Sequence, residues 1–337
     1  MQELGLVVVI IILGLALTFF SRQPGSEGPN PFLNFDNLVN RVATPMSVYA
    51  IMAVGVTCVI ISGGIDISVG SIFAISALGA AAVLQRYQPD TPAWKVLTIG
   101  LIVGPGIGLL CGVFNGVLVT ALRLHPFIVT LGTMSIIRGI GNVATTEKTL
   151  PTGDNMLPDA LTTDLFQRFY FPGFNGVGVR LMPMVVMLVW VMLGAFFIRR
   201  LVAGRETYAI GGNEEAARFS GLRVNGIKIR VYALSGLSAG LAGLVALGRF
   251  GTVSTNSGSG YELTVIAAAV VGGASLTGGR GTAMGALLGA LVIRMIENGI
   301  DVLKLNQQYG QIIVGSAIIV AAAIDRFSEH AAKRRAR

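Results

Sequence analysis

Polar groups are scarce in this 337-residue chain, so those within apolar stretches stand out. Asp66 and Ser68 follow the glycine pair Gly63-Gly64 and bracket Ile67 before Gly70, while Asn115 and Asn142 each interrupt a long apolar run. Carboxylate, hydroxyl and carboxamide groups so placed are suited to hydrogen bonding. A short acid after paired glycines can accept the free N–H groups of a helix that starts there. The Asp66 carboxylate reads first as a cap that fixes a break in the chain and second as a direct ligand for a solute. Asn115 and Asn142 either bridge helices or face a polar pathway. Arg138, Arg294 and Glu297 are the main charges inside apolar runs, and the last two, three residues apart, can pair on one helix face.

Two stretches imitate catalytic motifs. Gly236-Leu237-Ser238-Ala239-Gly240 fits the G-x-S-x-G pattern, which needs a strand–turn–helix elbow and a histidine within reach. The only histidines are His125 and His330, in a loop and in the tail, so nothing takes the Ser238 proton. The pattern reads as small residues at a helix contact. Gly139-Ile140-Gly141 follows an apolar run and not a strand, which removes the dinucleotide reading. No Gly-Lys dipeptide exists, so the chain lacks a phosphate-binding P-loop. Cys58 and Cys111 have no partner at metal spacing and read as small buried hydrophobes. No catalytic residue, metal site or cofactor is expected on this chain.

The elements that position these groups belong in lipid. Hydrophobic residues make up 53% of the chain and charged ones only 12%, against roughly 25% in a soluble domain. Mean hydropathy is +0.72. Apolar runs fall at 4–20, 42–61, 69–84, 97–122, 127–143, 181–198, 229–247, 263–271, 281–296 and 311–324. A span needs about 20 apolar residues. The expectation is therefore an all-α membrane protein, a polytopic bundle of about ten spans in a single domain over 1–337. The third and eighth runs are short and glycine-flanked, as in half-helices or re-entrant segments. The first run lacks the positive start of a secretory signal and reads as a retained span.

Charge sets the sides. The net charge is +8, yet twelve of the 25 basic residues lie in 199–230 and 325–337. Such clusters between and after apolar runs follow the positive-inside rule rather than nucleic-acid binding. With 199–230 in the cytoplasm, both termini and the basic tail 325–337 are cytoplasmic too. The segment 145–180 is then external, with room for a short surface helix.

Glycines recur at helical spacing. Gly104, Gly108, Gly112 and Gly116 share one face, as do Gly281, Gly285 and Gly289, and both sets read as packing faces. A weak repeat aligns Gly63, Gly64 and Gly70 with Gly272, Gly273 and Gly279 at an offset of 209. These are candidate helix-break glycines, and they suggest pseudo-repeated halves over 42–146 and 228–325.

Within 199–230, Asn213 is a good N-cap, Glu214 and Glu215 suit a first helical turn, Arg218 a last turn, and Gly221 a left-handed end. Ala216, Ala217 and Phe219 complete a helix of about two turns. So short a helix is marginal in water and must pack on its own bundle, on a membrane surface or on a cytoplasmic partner.

The stretch Ser62-Gly63-Gly64-Ile65-Asp66-Ile67-Ser68-Val69-Gly70-Ser71 resembles the signature of ABC importer permeases for ribose, xylose, galactose and related sugars. Residues 208–221, with Ala-Ile-Gly-Gly-Asn and Ala-Ala-Arg, resemble that family's coupling loop, and 270–279 followed by Gly281-Thr282 resembles a third shared block. The likeness extends over about 37–324 in block order, and the ribose-type permeases are the most similar. The resemblance implies a permease dimer of identical or different chains in a bacterial inner membrane. It implies a separate tandem ATPase, carrying ATP and Mg, that receives the 213–220 helix from below. It also implies a periplasmic or lipoprotein sugar-binding protein above, and lipid around the bundle. A proton- or sodium-driven transporter would instead show carboxylates facing a cavity within the membrane. An intramembrane enzyme would need a catalytic group that is not found here.

Overall fold

The computed structural model describes residues 2–22, 29–145, 148–153, 156–166, 169–170, 178–317, 319–320 and 323. The expected basic tail 325–337 lies outside the described residues. Eleven helices carry the described fold: α1 Gln2–Phe20, α2 Thr44–Ile61, α3 Val69–Leu84, α4 Ala93–Leu122, α5 Pro126–Ala144, α6 Met182–Arg200, α7 Val202–Gly212, α8 Glu214–Phe219, α9 Val224–Phe250, α10 Tyr261–Val271 and α11 Ala283–Val302. A π-helical stretch, Asn37–Ala43, leads into α2. Among the described residues seven helices are long and apolar enough to cross a membrane, and α3 and α10 are shorter apolar helices. Residues 308–317, which lead into and enter the tenth apolar run, are also helical.

Burial sorts the helices. α2 is interior along almost its whole length and α9 along most of it. α1, α5 and α6 instead expose Leu4, Ile12, Phe19, Ile128, Ile136, Met192 and Phe196 to the surroundings. Apolar surface on that scale is untenable in water and is the natural lipid-facing coat of a membrane bundle.

α4 and α9 meet over the most extensive contact in the molecule, along a seam of glycines. A Cβ at Gly108 would lie 2.2 Å from the Gly236 carbonyl oxygen, and one at Gly236 would lie 2.1 Å from the Gly108 oxygen. Gly112 meets Tyr232 and Gly116 meets Ile229 in the same way. The G-x-S-x-G imitation is thus half of a backbone-to-backbone contact. Ser238 Oγ donates to Leu234 O at 2.7 Å and accepts from Trp190 Nε1 at 3.0 Å. On α11, Gly285 and Gly289 pack on Gly272 and Ala268 of α10. Gly281 does not join that face: its φ of +147° places it in the turn before α11.

The described residues of 145–180 form a π-helical turn, Ala160–Asp164, and short strands. β1 Thr149–Leu150 pairs antiparallel with β4 Val253–Ser254, and β2 Phe169–Tyr170 with β3 Gly178–Val179. Between α9 and α10 the chain is largely non-helical over 251–260, and its Gly258 carbonyl lies against Gly70 at the start of α3. The short α10 is therefore the second part of a broken helical path, as its length suggests.

Candidate functional site

α2 ends at Ile61 because the chain turns left-handed at Gly63, whose φ is +79°. The Gly64 N–H closes back on Val59 O at 3.0 Å. α10 ends the same way: Gly273 has φ +93°, and the Ala274 N–H bonds Ala269 O at 3.0 Å. Both are left-handed C-caps, a conformation that glycine takes without a Cβ penalty. The matching positions are Gly63 and Gly273, an offset of 210 and one residue out of the sequence register.

The first turn carries a buried polar cluster, in which Asn115 Oδ1 accepts no hydrogen bond from the protein. Asp66 is wholly buried. Its Oδ1 accepts from the Ser68 N–H at 3.1 Å and from Ser68 Oγ at 2.6 Å, and its Oδ2 accepts from Ser235 Oγ of α9 at 2.7 Å. Asn115 Nδ2 of α4 donates to Ser68 Oγ at 2.7 Å, and Tyr232 Oη of α9 donates to Ile65 O at 3.1 Å. A buried carboxylate is costly unless such donors surround it. Asp66 thus receives the residue that begins the next helix rather than a later turn. Asp66, Ser68 and Asn115 knot α3, α4 and α9 together and do not line an opening. Asn142 is exposed at the end of α5 and takes no part. Ser235 and Tyr232 escaped the sequence reading. Their shared face on α9, three residues apart, was the available signal.

The second turn meets the basic loop 199–230. α7, also unforeseen, ends with its backbone pressed between both breaks. A Cβ at Gly211 would fall 1.7 Å from Ile61 O and 2.6 Å from the Gly279 N. Gly279 N–H donates to Ile61 O at 2.8 Å, and Tyr208 Oη donates to Gly281 O at 2.5 Å. One peptide of α7 therefore touches the end of α2 and the turn after α10.

α8 follows directly. Asn213 Oδ1 accepts from the Ala216 N–H at 2.9 Å, and Gly221 is left-handed at φ +84°. Glu214 binds Lys228 at 2.7 Å and Arg218 at 3.0 Å. Burial pushes the Glu214 carboxyl up, but the Lys228 hydrogen bond and charge, helped by Arg218, more than offset it and hold it below the usual carboxylate range. The ion pair is therefore kept above that range and lost only as pH falls through the lowered value. Ala217 is buried with Ile210, Val224 and Ile227, and Leu222 packs on them rather than outward. Glu215, Ala216 and Phe219 face out, with Phe219 84% exposed.

The profile of the family described as branched-chain amino acid transport system / permease component matches residues 38–322. The chain belongs to this permease family. It is 36% identical over 326 residues to a ribose import permease protein of Bacillus subtilis (strain 168), covering 96% of this chain and 91% of that one. It is 35% identical over 333 residues to a ribose import permease protein of Escherichia coli (strain K12), covering 96% and 94%. A D-allose transport system permease protein of the same strain is 34% identical over 315 residues, covering 94% and 90%. No solved structure gives a significant match.

Arg138, Arg294 and Glu297, the main charges inside apolar runs, are also engaged. Arg138 Nη1 of α5 donates to Thr255 O at 3.0 Å and Ser257 O at 2.8 Å, serving carbonyls of the non-helical 251–260 segment. Arg294 Nη1 binds Glu297 Oε2 at 2.8 Å, the pairing expected from their spacing, and Arg294 Nε donates to Arg41 O at 2.8 Å. Among the described residues no group of His, Cys, Asp and Glu is arranged to hold a metal ion.

Proposed function

We propose that the permease is the membrane-spanning subunit of an ATP-driven importer that carries a monosaccharide, ribose foremost, across a bacterial inner membrane. The ribose and allose import permeases among its relatives support the solute class. In this reading α8 faces the cytoplasm and seats in a separate tandem ATPase, which holds ATP and Mg. A sugar-binding protein delivers solute on the opposite side, and two permease chains, identical or not, share the assembly.

The observation that carries the proposal is the outward face of α8. A six-residue helix leaves a phenylalanine ring and Glu215 exposed while its other face is fastened to the bundle by Ala217 and the Glu214–Lys228 pair. An aromatic ring beside a carboxylate, on a helix held from behind, is suited to anchor a partner. Motion at α8 reaches the two helix breaks through α7, whose Gly211 peptide contacts both.

The test is the double variant Glu215→Ala, Phe219→Ala in a reconstituted complex of permease, ATPase and binding protein. Both residues are exposed, so the unfolding temperature of the permease stays unchanged, while sugar uptake and its stimulation of ATP hydrolysis are lost. Normal uptake in the variant refutes the docking role. Uptake that ignores ATP depletion but collapses with the proton gradient refutes the importer class.

A further inference from the structure

A cavity of about 520 Å³ opens between α2, α10, α11 and the helical residues 308–317. Its walls include Tyr49, Tyr261, Arg294, Glu297, Asp301 and Gln311. We propose that this cavity is a sugar-binding station of the permease, on the side of the bundle remote from α8. The proposal rests on the importer reading above and adds to it the place where the solute pauses.

Three observations carry it. The first is size: small-ligand pockets occupy about 300–1,000 Å³, so this one admits a monosaccharide with its waters. The second is chemistry. Tyr49 and Tyr261 meet edge to face with ring centroids 5.0 Å apart, which gives the cavity an aromatic wall for the C–H faces of a sugar. The Arg294–Glu297 pair, at 2.8 Å, adds a guanidinium and a carboxylate with no net charge. Such a pair forms charge-assisted hydrogen bonds with hydroxyls and suits a neutral polyol. Asp301 and Gln311 supply further acceptors and donors at the rim.

The third is position. α11 starts next to the turn that touches α7, and Arg294 lies 11 residues along it, roughly 17 Å away at the helical rise. The cavity therefore sits beyond the two helix breaks as seen from α8, where solute arriving from the opposite face is met first. The Asp66 cluster, whose carboxylate is buried and accepts from Ser68 and Ser235, lies at the first break itself.

The test uses Thr264→Cys, on the cavity wall, in the complete complex in proteoliposomes. Native Cys58 is buried and serves, with half-buried Cys111, as the labelling background. D-Ribose, D-allose and D-fructose are screened for uptake by the unaltered complex, and the transported sugar is then the probe. At ten times its half-saturating concentration, labelling of Thr264→Cys by a membrane-impermeant maleimide slows about tenfold, while a sugar that is not transported has no effect. Equal labelling rates with and without the transported sugar overturn the station. If Thr264→Cys does not transport, Ser259→Cys in the same cavity is used with the same two outcomes. Failure of the unaltered complex to transport any of the three sugars overturns the sugar-importer reading and the station with it.

Discussion

A single carboxylate decides the geometry where α2 gives way to α3. Asp66 accepts three hydrogen bonds, two from Ser68 and one from Ser235. Removing one partner of a buried hydrogen bond costs about 1–3 kcal/mol, and more for a charged group. Asp66→Ala is expected to lower the unfolding temperature of the detergent-solubilised permease by more than Ser235→Ala does. The double variant should lose less than the sum, because both changes break the same bond. Additive losses would show that the two side chains act independently. The sequence placed Asp66 beside Ser68 and gave it a capping role, because both residues stand in one short segment. It could not supply Ser235, 169 residues further on, because side-chain type alone does not say which helix will face the turn. Asn142 stands outside this cluster, which its type could not reveal: an asparagine in an apolar run looks the same whether it turns inward or outward.

At the scale of elements, the permease is assembled by close backbone contact. Gly106 and Gly108 lie on one helix, yet a Cβ at Gly106 meets nothing within 4 Å, whereas one at Gly108 would collide with Gly236. Gly106→Ala is expected to be neutral or to stabilise by up to about 1 kcal/mol, since alanine is the better helix former. Gly108→Ala should force α4 and α9 apart and markedly lower thermal stability. Similar effects from the two variants in the same unfolding assay would remove the seam from its central place. The four-residue glycine spacing was legible, and so were most span positions, because helical periodicity is local. α7 was not: its buried face is Gly204, Thr207 and Ile210, only the last of them a large apolar residue, and its end, Gly211-Gly212, resembles a loop until the carbonyl of Ile61 is seen against it. The likeness of the two glycine turns was visible one residue out of register, because the glycine pairs align by identity while the caps align by the residue that turns left-handed.

For the whole molecule, an interior of α2 and α9 is wrapped by helices whose outer residues are apolar. The sidedness expected from the basic residues is directly measurable. Glu215→Cys, exposed on α8, should react with a membrane-impermeant thiol reagent in inside-out vesicles and not in intact cells whose outer barrier has been opened. Reaction from the exterior would put α8 on the wrong side for an ATP-driven partner. The hydrogen bond from Gly279 to Ile61 then acquires a particular meaning. It is a latch made wholly of main chain, bridging segments more than 200 residues apart, with the last turn of α7 lying across it. No side-chain substitution can delete its donor or acceptor, except a proline at the donor. Whatever separates the two segments must therefore act by moving whole helices, and the short arm that rests on the latch is the one that ends in an exposed phenylalanine.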